Sequence, residues 1–385
     1  MTRNTYSHRF ATLLLGLVLA AGQAYAGPRE QAKRMHDRLA GVPPTPAVLD
    51  QMAALLPGNP TAAADIAMNN PAFYSVTLKN FASPWTNRDR SVFVPLNDYT
   101  ATVIGMIRDD VPFNGLLSED ILYTGSGNLG LPPYSMTSND HYAQMEAQNI
   151  DLQSALVRTT QSALTDLPAN ATAGVVTTRA AAEAFFVAGT NRAMFRFTLL
   201  NHLCNDMEQV QNTNYPPDRI RQDVSRSPGG DSRVFLNNCV GCHSGMDPLA
   251  QAYAYYNFDI DLGRIVYDAT QVHPKYFNND TNFEFGFVTP DDAWTNYWRT
   301  GQNAILGWDA GLPGAGVGAK SMGQELANSD AFAQCQVRKV FRNVCLREPV
   351  DAADRTQIDS MVATFRSNYL MKPVFASSAA HCMGD

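Results

Sequence analysis

Hydrophobic positions in the C-terminal third of the chain recur with helical spacing. Two sets stand at i, i+3, i+4 and i+7: Val337, Val340, Phe341 and Val344, and Ile358, Met361, Val362 and Phe365. Side chains at these intervals lie on one face of an α-helix. The pattern therefore predicts two helices that each bury one face.

Composition predicts further helices and few strands. Residues 152–164 and the alanine-rich run 178–188 consist largely of good helix formers. Alternation of apolar and polar residues, which is typical of strands, is short and rare, with 91–95 and 283–288 as the best candidates. The fold class predicted from the sequence is therefore mostly α, with long loops.

The segment around Thr289–Asp292 carries helix-start signals. It supplies a cap, a proline suited to the first turn and two acidic residues where a helix is positive. Trp294 and Trp298 follow at i, i+4. These features predict a short helix here.

Glycine and proline between residues 215 and 230 indicate a break in the chain. Tyr215-Pro216-Pro217 and Ser227-Pro228-Gly229-Gly230 both favour turns. We expect a helical N-terminal domain over residues 27–215. A C-terminal domain that contains the cysteine motif is expected over 216–385.

The first 26 residues predict a cleaved signal peptide. Arg3 and Arg9 precede an apolar run at 11–21, and Ala24-Tyr25-Ala26 forms an A-x-A cleavage site. The apolar run is too short to span a bilayer. We therefore expect a periplasmic or secreted protein.

The charge of the mature chain excludes one class of function. Cleavage after Ala26 removes two arginines and leaves 27 basic against 36 acidic residues, a net charge of −9. Binding to nucleic acid needs basic surface, so no nucleic-acid partner is expected. No later run approaches 18 apolar residues, and no integral membrane segment is expected in the mature chain.

The motif Cys239-Val240-Gly241-Cys242-His243 carries the clearest chemistry. A structural zinc site would need four ligands, and the other cysteines form no second knuckle. A thioredoxin-like dithiol would be expected in an α/β pattern, which this chain lacks. Attachment of a c-type haem uses every residue of the motif.

Two thiols on one helical turn can each form a thioether with a haem vinyl group, and His243 is then placed to ligate the iron. Covalent attachment of haem c is an extracytoplasmic chemistry, in agreement with the signal peptide. The sequence thus predicts one covalent haem c, attached at Cys239 and Cys242, with His243 as an iron ligand.

Residues after the motif suit a porphyrin, although each also has an ordinary explanation. Asp247-Pro248 is expected to end the helix that carries the cysteines. The aromatic residues Tyr253, Tyr255, Tyr256 and Phe258 offer either a surface for the ring or ordinary core. Arg264 is expected either to pair with a haem propionate or to be a surface arginine.

The second axial ligand of the iron is open on sequence grounds. Met322 follows a glycine-rich loop and precedes a predicted helix, an order familiar from His/Met cytochromes. Core filling explains Met322 equally well. His273 and an open coordination position are the alternatives.

The remaining cysteines, Cys204, Cys335, Cys345 and Cys382, are expected to form disulfides in an oxidising compartment. Cys335 and Cys345 are ten residues apart on one predicted helix, about 15 Å, which is beyond disulfide reach. Two connectivities remain, and we favour Cys204 with Cys335 and Cys345 with Cys382.

The run NCVGCHSGMDPLAQAYAYYNFDIDLGR, residues 238–264, resembles the haem-binding module of planctomycete-type cytochrome c proteins. In that family C-x-x-C-H is followed by Asp-Pro-Leu, Asn-Phe-Asp and Gly-Arg, which here fall on 247–249, 257–259 and 263–264. Residues 106–126 and 332–370 are similar to the flanking modules. The resemblance implies a secreted single-haem cytochrome with an electron-transfer role and names no substrate.

The first hypothesis for function is therefore an electron carrier that serves a redox partner protein or a small-molecule donor or acceptor. The second is a haem enzyme, peroxidase-like or oxidase-like, with an open iron site. The third is a binding or scaffold protein in which the haem is mainly structural.

Overall fold

The computed structural model describes residues 26–186, 191–274 and 286–384. The predicted signal peptide lies almost wholly outside the described residues. The first described helix begins at Pro28, the second residue after the predicted cleavage point. The fold is mostly α, as predicted. Among the described residues no helix has both the length and the apolar character needed to cross a membrane.

The described α-helices fall along the whole chain. In order they are α1 (Pro28–Ala40), α2 (Pro46–Leu55), α3 (Pro60–Met68), α4 (Lys79–Ala82), α5 (Asp98–Arg108), α6 (Asp140–Ala147), α7 (Leu152–Ala155), α8 (Gln161–Leu164), α9 (Arg179–Ala181), α10 (Asn191–Thr198), α11 (Met207–Val210), α12 (Ser232–Asn238), α13 (Val240–Ala250), α14 (Gly318–Ala327), α15 (Asp330–Cys345), α16 (Ala352–Asn368) and α17 (Met371–Cys382). π-helical turns occupy Phe73–Leu78, Ala182–Phe186 and Leu199–Leu203, and 3₁₀ turns occupy Ser83–Thr86, Phe113–Leu117, Gly174–Thr177, Pro228–Gly230, Gln251–Tyr253, Tyr297–Arg299 and Gly301–Leu306.

Strands form three two-stranded antiparallel sheets in the described part of the chain. They are β1 (Leu122–Gly125) with β2 (Leu156–Thr159), β3 (Tyr256–Asp259) with β4 (Arg264–Tyr267), and β5 (Ala293–Thr295) with β6 (Ala315–Val317). The registers place Leu122 opposite Thr159, Tyr256 opposite Tyr267 and Trp294 opposite Gly316. Each sheet is too small to form a layer of its own, so the strand pairs only connect helical segments to one another.

The two C-terminal helices predicted from their apolar periodicity are confirmed as α15 and α16. Their predicted faces are almost wholly buried, Phe341 and Phe365 completely so. Helix α17 packs against both of them and against α3 near the N-terminus. The C-terminal helix therefore packs in the same core as the N-terminal helices.

Both favoured disulfides are confirmed. Cys204 pairs with Cys335 and Cys345 pairs with Cys382, with Cα–Cα distances of 5.3 and 5.4 Å. Cys335 and Cys345 lie on the single helix α15, as the spacing argument requires. Each disulfide therefore joins α15 to a different segment of the chain.

One large cluster of buried side chains runs from Ala32 to Ala379 and includes residues on both sides of position 215. A small separate cluster, Ile220, Val224, Phe235 and Val240, lies beside the cysteine motif. The described residues thus share a main core across the predicted boundary, and the division into 27–215 and 216–385 stays a prediction.

Several local predictions are wrong. Residues 152–164 do not form one helix, because β2 interrupts it to pair with β1. Residues 91–95 form no strand, and of 283–288 the first three lie outside the described residues, while Phe287 makes a single bridge to Arg221. Tertiary pairing, which short propensity patterns do not report, decides these segments.

The helix predicted after Thr289–Asp292 is also wrong. Trp294 lies in β5 and Trp298 lies in a 3₁₀ turn, and both are buried. The side chain of Asn296 accepts a hydrogen bond from the N–H of Trp298 at 3.0 Å and starts that turn instead. Both indoles are buried, but they are not on one face of a helix, and their i, i+4 spacing is therefore not a helical signal.

Candidate functional site at Cys239–His243

The motif lies at the junction of two helices. Helix α12 ends at Asn238 and α13 begins at Val240, so Cys239 is the residue between them. The carbonyl of Cys239 accepts hydrogen bonds from the N–H groups of Cys242 and His243 at 3.2 and 3.1 Å. The two cysteines and the histidine therefore share the first turn of α13, as the sequence predicts.

Neither thiol of the motif is in a disulfide, although the other four cysteines are paired. Cys242 packs against the main core, with Sγ 3.6 Å from the carbonyl oxygen of Met207, and Cys239 packs against the small cluster beside the motif. Both are half-buried. Burial, with Glu208 next in weight, raises the pKa of Cys242, which is opposite to the shift that activates a dithiol redox centre.

His243 is fixed by a carboxylate one turn further along the helix. Its Nδ1 lies 3.1 and 3.2 Å from the two carboxylate oxygens of Asp247. Because a carboxylate only accepts hydrogen bonds, Nδ1 is the donor, and in the neutral imidazole the lone pair is then on Nε2. No described group hydrogen bonds to Nε2. A ring held through one nitrogen with the other open is the arrangement typical of a metal-ligating histidine.

Asp247 is fully buried between basic groups. Nε of Arg192 donates to its Oδ1 at 2.9 Å, and the backbone N–H of Arg221 donates to Oδ2 at 3.3 Å. Arg192 also makes two hydrogen bonds to Asp223, at 2.9 and 2.6 Å. Burial opposes ionisation, but Arg192 and then His243 outweigh it and hold the pKa of Asp247 well below its ordinary range.

The opposite face of α13 is packed closely against the protein. A methyl group at Gly245 would lie 2.0 Å from Nε1 of the buried Trp298, so no larger residue fits here without movement. The carbonyl of Gly241 accepts a hydrogen bond from the N–H of Asn212 at 2.9 Å. These contacts fix the helix and leave the face that carries Cys242 and His243 partly exposed.

The prediction that Asp247-Pro248 ends this helix is wrong, since α13 continues to Ala250. Pro248 removes only its own N–H donor, and the N–H of Gln251 still donates to the carbonyl of Asp247. Pro248, Leu249 and Ala250 are all buried, and their packing holds the last turn.

Arg264 begins β4 and forms an ion pair with Asp166. Its Nη1 also lies 3.5 Å from the sulfur of Met136. The side chain keeps an exposed fraction of 28%. Its guanidinium is therefore already engaged by protein groups, and pairing with a haem propionate stays a prediction.

Met322 lies on α14 in the main core with an exposed fraction of 1%. This burial is what core filling requires, and the role of distal ligand stays a prediction. The alternative, His273, donates its backbone N–H to the carbonyl of Ala254 at 2.9 Å. Of the aromatic residues after the motif, Tyr253 and Tyr256 pack in the core against Phe186.

No group of three or more His, Cys, Asp or Glu side chains that could hold a metal ion occurs among the described residues. A search for similar proteins gave no match to a family model, to a curated protein or to a solved structure.

Sequence reasoning missed the roles of Asp247 and Arg192 at this site. Asp247 was predicted as a helix stop and as part of the Asp-Pro-Leu element of the family resemblance, and its contact with His243 was not predicted, although their i, i+4 spacing is a usable signal once both are placed on one helix. Arg192 lies 55 residues before Asp247, and nothing in the sequence connects them.

Proposed function

We propose that this chain is an exported c-type cytochrome that holds one covalent haem and exchanges single electrons with a redox partner. The observation that carries the proposal is the hydrogen bond from Nδ1 of His243 to the buried carboxylate of Asp247. It leaves Nε2 free on the same helical turn as two thiols outside any disulfide. These residues fit a haem c by their chemistry.

Four residues are assigned roles in this proposal. Cys239 and Cys242 would hold the haem through thioether bonds, and Nε2 of His243 would ligate its iron. A haem bound in this way supplies reversible one-electron chemistry. Asp247 keeps the imidazole in one tautomer and one orientation. Met322 as distal ligand and Arg264 as propionate partner belong to the proposal as further expectations.

The hydrogen-bond network behind His243 sets its strength as a ligand. A histidine that donates to a carboxylate is a more basic ligand than one that donates to a neutral group. Arg192, held by both Asp223 and Asp247, keeps that carboxylate in place. The chain would thereby favour the ferric state and a comparatively low reduction potential.

The same hydrogen bond favours a second candidate, a haem enzyme that reacts with peroxide or oxygen. Electron donation from the proximal ligand assists cleavage of an O–O bond. The two functions differ in the distal position. A low-spin iron that ignores added cyanide and carbon monoxide indicates the carrier, whereas a high-spin iron that binds them rapidly indicates the enzyme.

The proposal is tested by producing the chain in a host equipped for cytochrome c maturation. We expect a reduced-minus-oxidised spectrum of a c-type haem and a matching pyridine haemochrome. The Cys239→Ala, Cys242→Ala double variant should lose both, while Met322→Ala should keep the attachment and alter only the ligand-sensitive bands. A wild-type protein without these spectra would overturn the proposal.

A further inference from the structure

A cleft of ≈ 560 Å³ lies between the 3₁₀ turn Ser83–Thr86 and the C-terminal part of α15, and it uses none of the motif residues. Its lining combines apolar surface with basic groups and one carboxylate, that of Glu348. Phe81 and Trp85 supply aromatic walls, and Leu346, with an exposed fraction of 72%, stands at the rim. A pocket that places charged groups beside aromatic surface is typical of a site for small organic ligands.

Four basic side chains line this cleft, and two of them are already neutralised. Arg342 pairs with Glu348 at 2.7 Å and Arg347 pairs with Asp354. Arg90 and Lys339 have no carboxylate within ion-pair distance among the described residues. The cleft thus presents two basic side chains outside any described ion pair, on a chain whose net charge is −7.

Lys339 is the more constrained of the two cations. Its Nζ lies 3.5 Å from the centre of the Trp85 ring and donates to the carbonyl of Asn201. Burial lowers its pKa, and the nearby charges of Arg90 and Arg342 lower it further. A cation held out of water without a counter-ion is unfavourable, and an anion in the cleft would relieve this cost.

We propose that this cleft binds a small organic carboxylate with an apolar body. The carboxylate would accept hydrogen bonds from Nζ of Lys339 and from Arg90, whose guanidinium can bind it through two N–H groups. The apolar body would lie against Phe81 and Leu346. Phosphate and other hydrated inorganic anions match the charge and leave this apolar surface exposed, so they fit less well.

The inference is independent of the haem and is tested by calorimetric titration of the mature chain with benzoate. Benzamide, a neutral molecule of the same shape, and inorganic phosphate serve as comparison ligands. We expect benzoate to bind with a Kd on the order of 1 mM. Binding should weaken about tenfold in Arg90→Gln and in Lys339→Met, and it should weaken at high salt.

Lys320→Met is the matched control, since Nζ of Lys320 also donates to a backbone carbonyl, that of Ala169, but lies outside the cleft. It should bind benzoate like the wild type. Arg90 is exposed, so its variant reports on binding even if Lys339→Met fails to fold. Equal binding of benzamide or of phosphate, or no benzoate binding at 20-fold above the expected ~1 mM Kd, would overturn the inference.

Discussion

The carboxylate of Asp247 is enclosed by protein and still ionised, because Arg192 and the backbone of Arg221 supply hydrogen bonds where water cannot. Such a group acts on its neighbours at close range, and its neighbour is the imidazole of His243. Through this hydrogen bond the carboxylate is expected to increase the electron density on the imidazole ring. The electronic properties of the site therefore depend on a residue that never touches the proposed haem.

Asp247→Asn should raise the reduction potential of the holoprotein. Loss of the negative charge weakens His243 as a donor, and we expect a rise of roughly 60 mV, a tenfold change in a one-electron equilibrium. Spectroelectrochemical titration measures it. Asp261→Asn is the control, because it removes the same charge from an exposed position outside this network. Attached haem with an unchanged potential in Asp247→Asn would refute the assigned role.

At this scale the sequence predicts the three motif residues but not the network behind them. Cys239, Cys242 and His243 are specified by local spacing, which one helical turn converts directly into geometry. Arg192 reaches the site through the packing of α10 against α13, and Asp223 contacts Arg192 from the irregular segment before α12. No short-range signal reports a contact of that kind.

At the scale of elements, two disulfides hold α15, one at Cys335 within the helix and one at its last residue, Cys345. The disulfide Cys345–Cys382 closes a loop over 37 residues and fixes α17 against α15. Replacing both cysteines with alanine should lower the free energy of unfolding by about 3 kcal/mol, because the unfolded chain regains loop entropy. Denaturant titration measures the loss, and an unchanged midpoint would contradict it.

Asp354 on α16 accepts hydrogen bonds from Arg347, just after α15, and from His381 on α17. Hydrogen bonds from Arg347 contribute most, and with the N–H of Val350 and with His381 they hold the pKa of Asp354 well below its ordinary value. A carboxylate with a lowered folded-state pKa stabilises the fold above the unfolded pKa of about 4, and the contribution is lost as pH falls through the folded-state pKa.

Asp354→Asn should therefore lower the free energy of unfolding by about 1–2 kcal/mol at pH 7, with a smaller difference from wild type below pH ~4. Urea titrations at the two pH values measure the difference. Asp359→Asn, at an exposed position of the same helix, should change stability by less than about 0.5 kcal/mol. An equal effect of Asp354→Asn at both pH values would contradict the ionic role.

Elements with long, regular apolar periodicity were predicted correctly from the sequence, and short ones were not. Helices α15 and α16 each bury a stripe of apolar side chains. Only a helical conformation places side chains at these intervals on one face. The strands β2 and β5 are four and three residues long, and they exist because of partners 31–37 and 20–24 positions away along the chain. Helix propensity stabilises such short segments too weakly to compete with strand pairing.

At the scale of the whole molecule, the two ends of the described chain lie together. The side chain of Gln31 in α1 donates to the carbonyl of Gly384 at 2.7 Å, and α17 packs against α1 and α3. The C-terminal residues therefore complete the packing around α1.

Cleavage of the proposed signal peptide should give a mature N-terminus at Gly27. The A-x-A site at 24–26 determines the position. Mass spectrometry of protein recovered from the periplasm or medium of an exporting host measures it, and Ala24→Lys should retain the leader. Recovery of uncleaved wild-type chain from the cytoplasm would contradict the predicted localisation.

The central claim is that Cys239 and Cys242 hold a haem covalently and that His243 ligates it. The most direct measurement is mass spectrometry of the mature wild-type chain made with cytochrome c maturation, followed by analysis of the peptide that contains residues 235–248. The account predicts the mass of the chain plus one haem, with both cysteines as thioethers in that peptide. A chain without added mass and with both thiols free would contradict it.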